Sequence, residues 1–189
     1  MMRRAWVVIL LLGLATVAQA AYSVDQLMAE LAQHKGGRAR FVEKRHLALL
    51  DKPLQASGEM VYSPPARLEK RTLLPKAETL VLDQDQLSIE RDQRRLSINL
   101  ASRPGALAFV DSIRSTLSGD RKALEKHYTL QLQGESGRWT LTLVPSEPAI
   151  KALLQRITVT GGNGQLRNIE YLLADGDRTE LAIEPIEAP

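Results

Sequence analysis

Residues 38–100 read RARFVEKRHLALLDKPLQASGEMVYSPPARLEKRTLLPKAETLVLDQDQLSIERDQRRLSINL. Apolar and polar residues alternate over most of this stretch, as is typical of β-strands with one buried face. Lys52-Pro53, Pro64-Pro65 and residues 83–86 interrupt the alternation and predict turns. Because these connections are short, we expect the neighbouring strands to pair antiparallel.

The first two strands of this stretch differ in character. The first is predicted to run through Phe41 to Leu50, with mixed alternation. The second carries small and apolar groups on one face, and Gly58 stands at its centre. A glycine weakens a flat strand, so Gly58 predicts a bend or a bulge. Curvature of this kind is what a pocket-forming sheet requires.

Helices are predicted on both sides of these strands. A capping box formed by Ser23 and Gln26 starts the first helix, and Gly36-Gly37 ends it. A second helix follows Pro104 and ends at Gly119. Its residues repeat at helical spacing to form one apolar stripe: Ala106, Phe109, Val110, Ile113 and Leu117.

The remainder of the chain predicts a short helix capped by Asp120 and five more strands. Another short helix is expected over residues 148–155, with Ser146 as its cap. The predicted fold class is therefore α+β: one unclosed, strongly curved antiparallel β-sheet, a half-barrel, whose concave face is covered by helices. A closed barrel with no helix inside is the alternative topology.

The first twenty residues predict an export signal. Arg3 and Arg4 precede an apolar run, and Ala18-Gln19-Ala20 supplies the small residues that favour cleavage after Ala20. A retained membrane anchor is the alternative, but the apolar run ends before the roughly 20 residues that a span requires. We expect residues 1–20 to be removed and residues 21–189 to form one domain in the periplasm of a Gram-negative cell.

Length and composition fit a single folded domain. The chain has 189 residues and 44% hydrophobic content, which is enough to bury a core. Without Arg3 and Arg4 the formal net charge of +3 falls to +1. The charge therefore gives no indication of binding to nucleic acid.

The residue types exclude several kinds of site. The chain has no cysteine, so it offers no thiolate, no disulfide and no cysteine for lipid attachment. His34, His46 and His127 stand far apart and lack the spacing of metal ligands. Asp83 and Asp85 lack the glycine and glutamate of a calcium loop. We expect no metal, no cofactor and no catalytic residue, with an unrecognised hydrolase as the alternative.

Several short motifs lie along the predicted strands: Phe41-Val42-Glu43, Ser57-Gly58-Glu59-Met60-Val61-Tyr62, Pro65-Ala66-Arg67-Leu68-Glu69-Lys70, and Pro75 followed by Glu78-Thr79-Leu80-Val81-Leu82-Asp83. Together with the export signal and the first helix, these motifs resemble the outer-membrane lipoprotein carrier family, the LolA-like proteins. The similarity extends over nearly all of residues 21–189. It is a pattern of weak signals rather than one diagnostic motif.

This resemblance implies a function as well as a fold. Members of the family fold as an unclosed barrel that holds acyl chains under a helical lid. They receive cargo from an inner-membrane exporter and pass it to an outer-membrane acceptor. The resemblance therefore implies a monomeric periplasmic carrier, or chaperone, for an acylated lipoprotein or lipid product. A lipoprotein-sensing or protein-interaction module on the same scaffold is the alternative.

Three departures from the family bear on the cargo. Family members commonly have glutamine where Glu43 stands, a basic residue where Ser63 or Pro64 stands, and an aromatic residue near Glu69 and Lys70. The interior is also more aliphatic than that of a typical lipoprotein carrier. These departures favour a variant that serves a dedicated lipid exporter over general lipoprotein traffic.

The candidate site residues follow from the carrier hypothesis. Arg67 is the nearest cation to the position of the missing basic residue, and we expect it to contact a headgroup or a partner. The alternative is that the apolar stripe of the second helix is ordinary core and that Arg67 is a solvated strand residue. The expected lipid-binding residues are Phe41, Met60, Leu80, Leu82, Leu96, Phe109, Val110, Ile113 and Leu117.

Overall fold

A computed structural model describes residues 21–33 and 35–186. The predicted export signal and His34 lie outside the described residues. The helices are α1 (Val24–Leu31), α2 (Pro104–Ser118), α3 (Arg121–Glu125) and α4 (Pro148–Lys151), with one 3-10 turn at Leu100–Ser102. The strands are β1 (Gly37–His46), β2 (Leu54–Ser63), β3 (Arg67–Leu74), β4 (Glu78–Asp83), β5 (Gln86–Arg91), β6 (Arg94–Asn99), β7 (Tyr128–Glu135), β8 (Arg138–Pro145), β9 (Leu154–Gly162), β10 (Gln165–Leu173) and β11 (Arg178–Ile186).

All eleven strands belong to one antiparallel sheet in the order β6-β5-β4-β3-β2-β1-β11-β10-β9-β8-β7. Strands β6 and β7 are its two edges and do not pair with each other, so the sheet is unclosed. This arrangement confirms the predicted α+β half-barrel, and the closed-barrel alternative is wrong. In the described part of the chain, no helix combines the length and the apolarity that crossing a membrane demands.

The bulge predicted at Gly58 is present. Gly58 pairs with Thr72, whereas the preceding Ser57 pairs with Leu74, so β3 carries one extra residue at this point. A Cβ atom on Gly58 would lie 1.9 Å from the backbone oxygen of Arg71. Only glycine fits this close approach of the two strands, which agrees with the curvature expected from the sequence.

The core fills the inner face, which is the side of the sheet that the helices cover. Phe41 on β1 and Trp139 on β8 are 2% and 1% exposed. Leu27 and Leu31 of α1 and Leu124 of α3 belong to the same cluster and are at most 1% exposed. Helices α1 and α3 therefore cover the sheet near β7.

Three predicted boundaries are wrong. Helix α1 ends at Leu31 with Ala32 as its C-cap and not at Gly36-Gly37, since Gly37 already begins β1. Strand β1 ends at His46 rather than Leu50, and residues 47–53 form a loop in which Leu49 is 97% exposed. Helix α4 ends at Lys151 rather than near Gln155, because β9 already begins at Leu154. The cap of α4 is Glu147 and not Ser146, since the Ser146 backbone donates a hydrogen bond to the His127 oxygen and so remains tied to the sheet.

Candidate functional site

Helix α2 buries a face of small residues rather than its apolar stripe. Ala108, Ser112 and Thr116 are 3%, 2% and 1% exposed, and the Thr116 hydroxyl donates to the Ser112 oxygen. At the end of the helix Gly119 has a φ of 67°, and a Cβ there would lie 2.1 Å from the Met28 oxygen of α1. Small residues let α2 approach α1 closely, which leaves its larger apolar side chains to face elsewhere.

The predicted stripe of α2 faces the sheet but is only half-buried. Phe109, Ile113 and Leu117 pack against the edge of the core. The Phe109 ring contacts the Tyr171 ring of β10 with a centroid distance of 4.9 Å and an angle of 50° between the ring planes. The partial burial of the stripe agrees with spaces beside the helix that the protein does not fill with its own atoms.

A hollow of about 310 Å³ lies under the C-terminal half of α2, and we call it the trough. Ile113 and Leu117 form its roof. Its floor and walls come from α1, from β1, β2, β10 and β11, and from the turn between β9 and β10. The remaining lining residues are Leu31, Gly36, Gly37, Arg38, Ala39, Met60, Tyr62, Gly164, Gln165, Leu166, Ile169, Ile183, Pro185 and Ile186.

A second hollow of about 390 Å³ lies under the N-terminal half of α2, and we call it the side pocket. Phe109 lines it, and Leu153, which is 56% exposed, stands at its mouth. The other lining residues are Gly105, Ala106, Ile150, Ala152, Leu154, Leu173, Ala174 and Asp175.

The structure divides the predicted lipid-binding residues into several groups. Met60, Ile113 and Leu117 come together in the trough, and Phe109 lines the side pocket. Phe41 is buried in the core cluster. The roles of all these residues in binding stay predictions.

The remaining predicted residues lie away from both hollows. Leu80 and Leu96 belong to a cross-strand row on the inner face that runs from Met60 through Lys70, Leu80 and Ile89 to Leu96. Leu82 is 5% exposed in the next row, and Val110 is half-buried on α2. Neither Leu82 nor Val110 lines the trough or the side pocket.

Arg67 lies on the outer face of β3. It stands three residues before Lys70, and an odd separation puts two strand residues on opposite faces. Its guanidinium contacts Asp83 at 3.1 Å and Glu69 at 3.7 Å. Arg67 therefore does not face the trough, and its contact with a partner stays a prediction.

Arg38 reaches the rim of the trough, and sequence reasoning missed it. Its side chain is 60% exposed and forms a salt bridge of 2.8 Å with Glu59. Arg38 directly precedes Ala39 on β1, and Ala39 faces the trough, so the Arg38 side chain lies on the outer face of the strand. Arg38 follows Gly36-Gly37 directly at the start of β1. That position, at the end of a strand that borders the predicted hollow, is the signal that could have found it.

A buried ion pair lies on the inner face beside the core. Glu43 is 5% exposed and accepts hydrogen bonds from Lys70 and Arg45. The Lys70 ammonium also lies 4.8 Å from the centroid of the Phe41 ring. Burial opposes ionisation of Glu43, but the hydrogen bonds and charges of Lys70 and Arg45 outweigh it and hold the pKa of Glu43 below its usual value.

The fold is similar to that of several solved structures. A LolA superfamily protein from Nitrosomonas europaea is 7% identical over 89% of this chain and 96% of its own, with a TM-score of 0.45. The lipoprotein LppX of Mycobacterium tuberculosis is 12% identical over 86% and 96%, with a TM-score of 0.42. A chain of the Pseudomonas aeruginosa MucA/MucB complex is 16% identical. The match covers 88% of the present chain but only 58% of the chain in the complex, with a TM-score of 0.48.

Sequence comparisons give a family and no individual relative. No curated protein matches the chain. The family model described as "Outer membrane lipoprotein carrier protein LolA-like" matches residues 16–184, which is most of the sequence. With its unclosed eleven-stranded sheet and its partly filled inner face, the chain belongs to this LolA-like family.

Proposed function

We propose that this protein is a periplasmic carrier that shields the acyl chains of a lipoprotein or lipid product between the inner and the outer membrane. The family model is named for outer-membrane lipoprotein carriers, which supports this class of function. In this role the protein binds and releases its cargo and catalyses no step. An inner-membrane exporter would supply the cargo and an outer-membrane acceptor would receive it.

The half-buried stripe over an apolar floor is the observation that carries the proposal. Ile113 and Leu117 face Leu166, Ile169 and Ile183 across the trough without filling it. The protein therefore keeps apolar surface on the inside of its sheet that an acyl chain would cover. Covering that surface is favourable by about 25 cal/mol for each Å² removed from water.

The energetics of acyl chains explain why a carrier is needed. At about 0.8 kcal/mol per methylene, a chain of about sixteen carbons costs roughly 12 kcal/mol to expose to water. Such a chain does not cross an aqueous compartment unaided. A hollow lined by aliphatic side chains removes most of that cost, and loose contacts still permit release at the next site.

The trough also has polar groups where a headgroup would emerge. Gln165 is exposed and lines the same hollow as the apolar residues, and Arg38 lies at its rim. The Arg38 side chain lies on the outer face and already pairs with Glu59, so an anionic headgroup would have to reach past the strand and compete for it. This arrangement favours modest headgroup affinity, which suits a carrier that must release its cargo.

Native mass spectrometry of the protein purified from its own periplasm tests the proposal. We expect the mass of one acylated molecule to accompany the protein and to be lost on extraction with organic solvent. The variant Ile113→Asn, with a polar group in the roof, should be purified with less of that molecule. Protein that is always empty, and that binds another protein instead, would favour the sensing module over the carrier.

A further inference from the structure

The trough and the side pocket lie end to end under the same helix. Ile113 and Leu117 of α2 roof the trough, and Ala106 and Phe109 line the side pocket. These residues are spaced by three and four positions, so they belong to one helix face. The two hollows are therefore successive compartments along α2.

The facing strand β10 shows the same division. Ile169 lines the trough and Leu173 lines the side pocket. Tyr171 stands between them on the same face of the strand, about 7 Å from each by strand geometry. On the helix, Phe109 is about 6 Å along the axis from Ile113. A helix residue and a strand residue thus meet at the boundary between the compartments.

The boundary is a closed contact between these two rings. A centroid distance of 4.9 Å is direct contact for aromatic side chains and leaves no room for a hydrocarbon chain between them. Tyr171 is 8% exposed and is held in the core cluster. The contact therefore blocks the direct path along β10 from Ile169 to Leu173.

The side pocket also opens to solvent. Gly105 and Leu153 are neighbours in its lining, since a Cβ atom on Gly105 would lie 2.9 Å from the end of the Leu153 side chain. Leu153 is 56% exposed. The pocket is about 390 Å³ against about 310 Å³ for the trough, and apolar side chains line most of both. Each compartment is within the lower range of volume for a ligand site.

We infer that the side pocket is a second acyl-chain site, and that the cargo has at least two hydrocarbon chains which the Phe109–Tyr171 contact keeps apart. This inference rests on the proposed function, since it names the class of cargo for the same inner face. The occupant follows from continuity with the trough: the same helix face, the same strand and the same apolar lining. A cargo with a single chain would leave the apolar side pocket uncovered.

Two matched variants separate the compartments. Ala106→Phe introduces a large ring into the side pocket, and Ala39→Phe introduces the same ring into the trough. Both alanines are only partly buried, so the larger ring can enter the hollow without displacing the backbone. If Ala106→Phe does not fold, as judged by circular dichroism, Ala152→Phe fills the side pocket from an exposed position.

Palmitic acid is the probe, and native mass spectrometry of delipidated protein is the measurement. We expect two bound palmitates for the wild type, one for each single variant and none for the double variant. Dipalmitoyl phosphatidylglycerol should bind with one equivalent, and either single variant should weaken it at least tenfold.

Two results would overturn the inference in different ways. If the wild type binds one palmitate, and Ala39→Phe abolishes it while Ala106→Phe does not change it, the second site is wrong and the proposed carrier function stands. If neither the wild type nor any variant binds palmitate or the diacyl lipid, the proposed function fails together with the inference.

Discussion

The Lys70 ammonium lies over the Phe41 ring, 4.8 Å from its centroid, and pairs with the buried Glu43 carboxylate. Both Lys70 and Glu43 face the interior of the half-barrel, where water is scarce. An ion pair in such a place contributes to stability only while both partners are present, because either charge alone is left without compensation.

Substitution of Glu43 should therefore destabilise the fold. We expect Glu43→Gln to lower the free energy of unfolding by roughly 3 kcal/mol, the low end for a buried pair broken on one side, since Lys70 is still 19% exposed. The measurement is urea denaturation followed by circular dichroism. As a control, Glu59→Gln breaks the exposed Arg38–Glu59 pair and should cost no more than about 1 kcal/mol. Equal losses in the two variants would contradict the prediction.

The same carboxylate should make the protein sensitive to acid. The pKa of Glu43 is lowered in the folded state relative to the unfolded chain. Its contribution to stability is therefore complete above the usual glutamate range and is lost as the pH falls through that range towards the lowered value. We expect the unfolding midpoint in urea to fall between neutral pH and about pH 4. Glu43→Gln should flatten that part of the profile, and an unchanged slope would exclude Glu43 as the source.

The roof of the trough should govern lipid affinity. Ile113→Asn places an amide over the apolar floor, and we expect it to weaken the binding of palmitate in the trough at least tenfold. Titration with a fluorescent fatty acid in competition with palmitate measures the effect. Leu73→Asn is the control, because Leu73 is 59% exposed on β3 and lines neither hollow. A similar loss of affinity in both variants would argue against a role for the roof.

Arg114 should hold helix α2 against the sheet. Its guanidinium donates to the Gln84 oxygen at 2.6 Å in the turn between β4 and β5, and Asp85 lies 3.8 Å away. These contacts connect α2 to the part of the sheet that ends at the edge strand β6. We expect Arg114→Gln to increase amide hydrogen exchange in α2 and to speed palmitate association several-fold.

Arg121→Gln provides the comparison for Arg114. Arg121 ties α3 to Asp25 of α1 at 2.8 Å and does not reach the turn between β4 and β5. We expect this variant to leave the exchange of α2 and the association rate near those of the wild type. If palmitate also associates faster with Arg121→Gln, loss of any salt bridge from a helix is sufficient to speed association, and Arg114 has no special role.

The bulge at Gly58 should be intolerant of any side chain. A Cβ there would lie 1.9 Å from the backbone oxygen of Arg71, and backbone atoms cannot move aside as a flexible side chain does. We expect Gly58→Ala to destabilise the protein by about 1–3 kcal/mol. Gly37→Ala is the matched control, because a Cβ at Gly37 meets nothing within 4 Å. Denaturant titration of both variants checks the difference.

Local sequence signals predicted most of the fold. Alternation with a period of two gave the strands on either side of Pro64-Pro65, and the glycine at position 58 gave the bulge. These signals succeed because strand pairing and turns depend on neighbours that are close in sequence. The boundary at residues 47–50 failed because an apolar run reads as strand even when no partner strand remains to pair with it.

The candidate site was predicted less completely. The stripe of α2 was found from its period, but the sequence did not reveal that Ala108, Ser112 and Thr116 would be the buried face. Arg67 is the cation nearest in sequence to the position of the missing basic residue, but only the pairing of Lys70 with Met60 shows that Lys70 is the one that faces inward. A shift of one position reverses every side chain of a strand, so the face depends on register.

By itself the sequence determined a curved antiparallel sheet with an amphipathic helix above it, because hydrophobic periodicity and turn residues act over a few positions. Only the tertiary structure decided that the space under this helix is two compartments separated by Phe109 and Tyr171. These two residues are more than sixty positions apart in the chain. Their contact depends on how closely α2 approaches α1 and on how far the sheet curves, and both are properties of packing between distant segments.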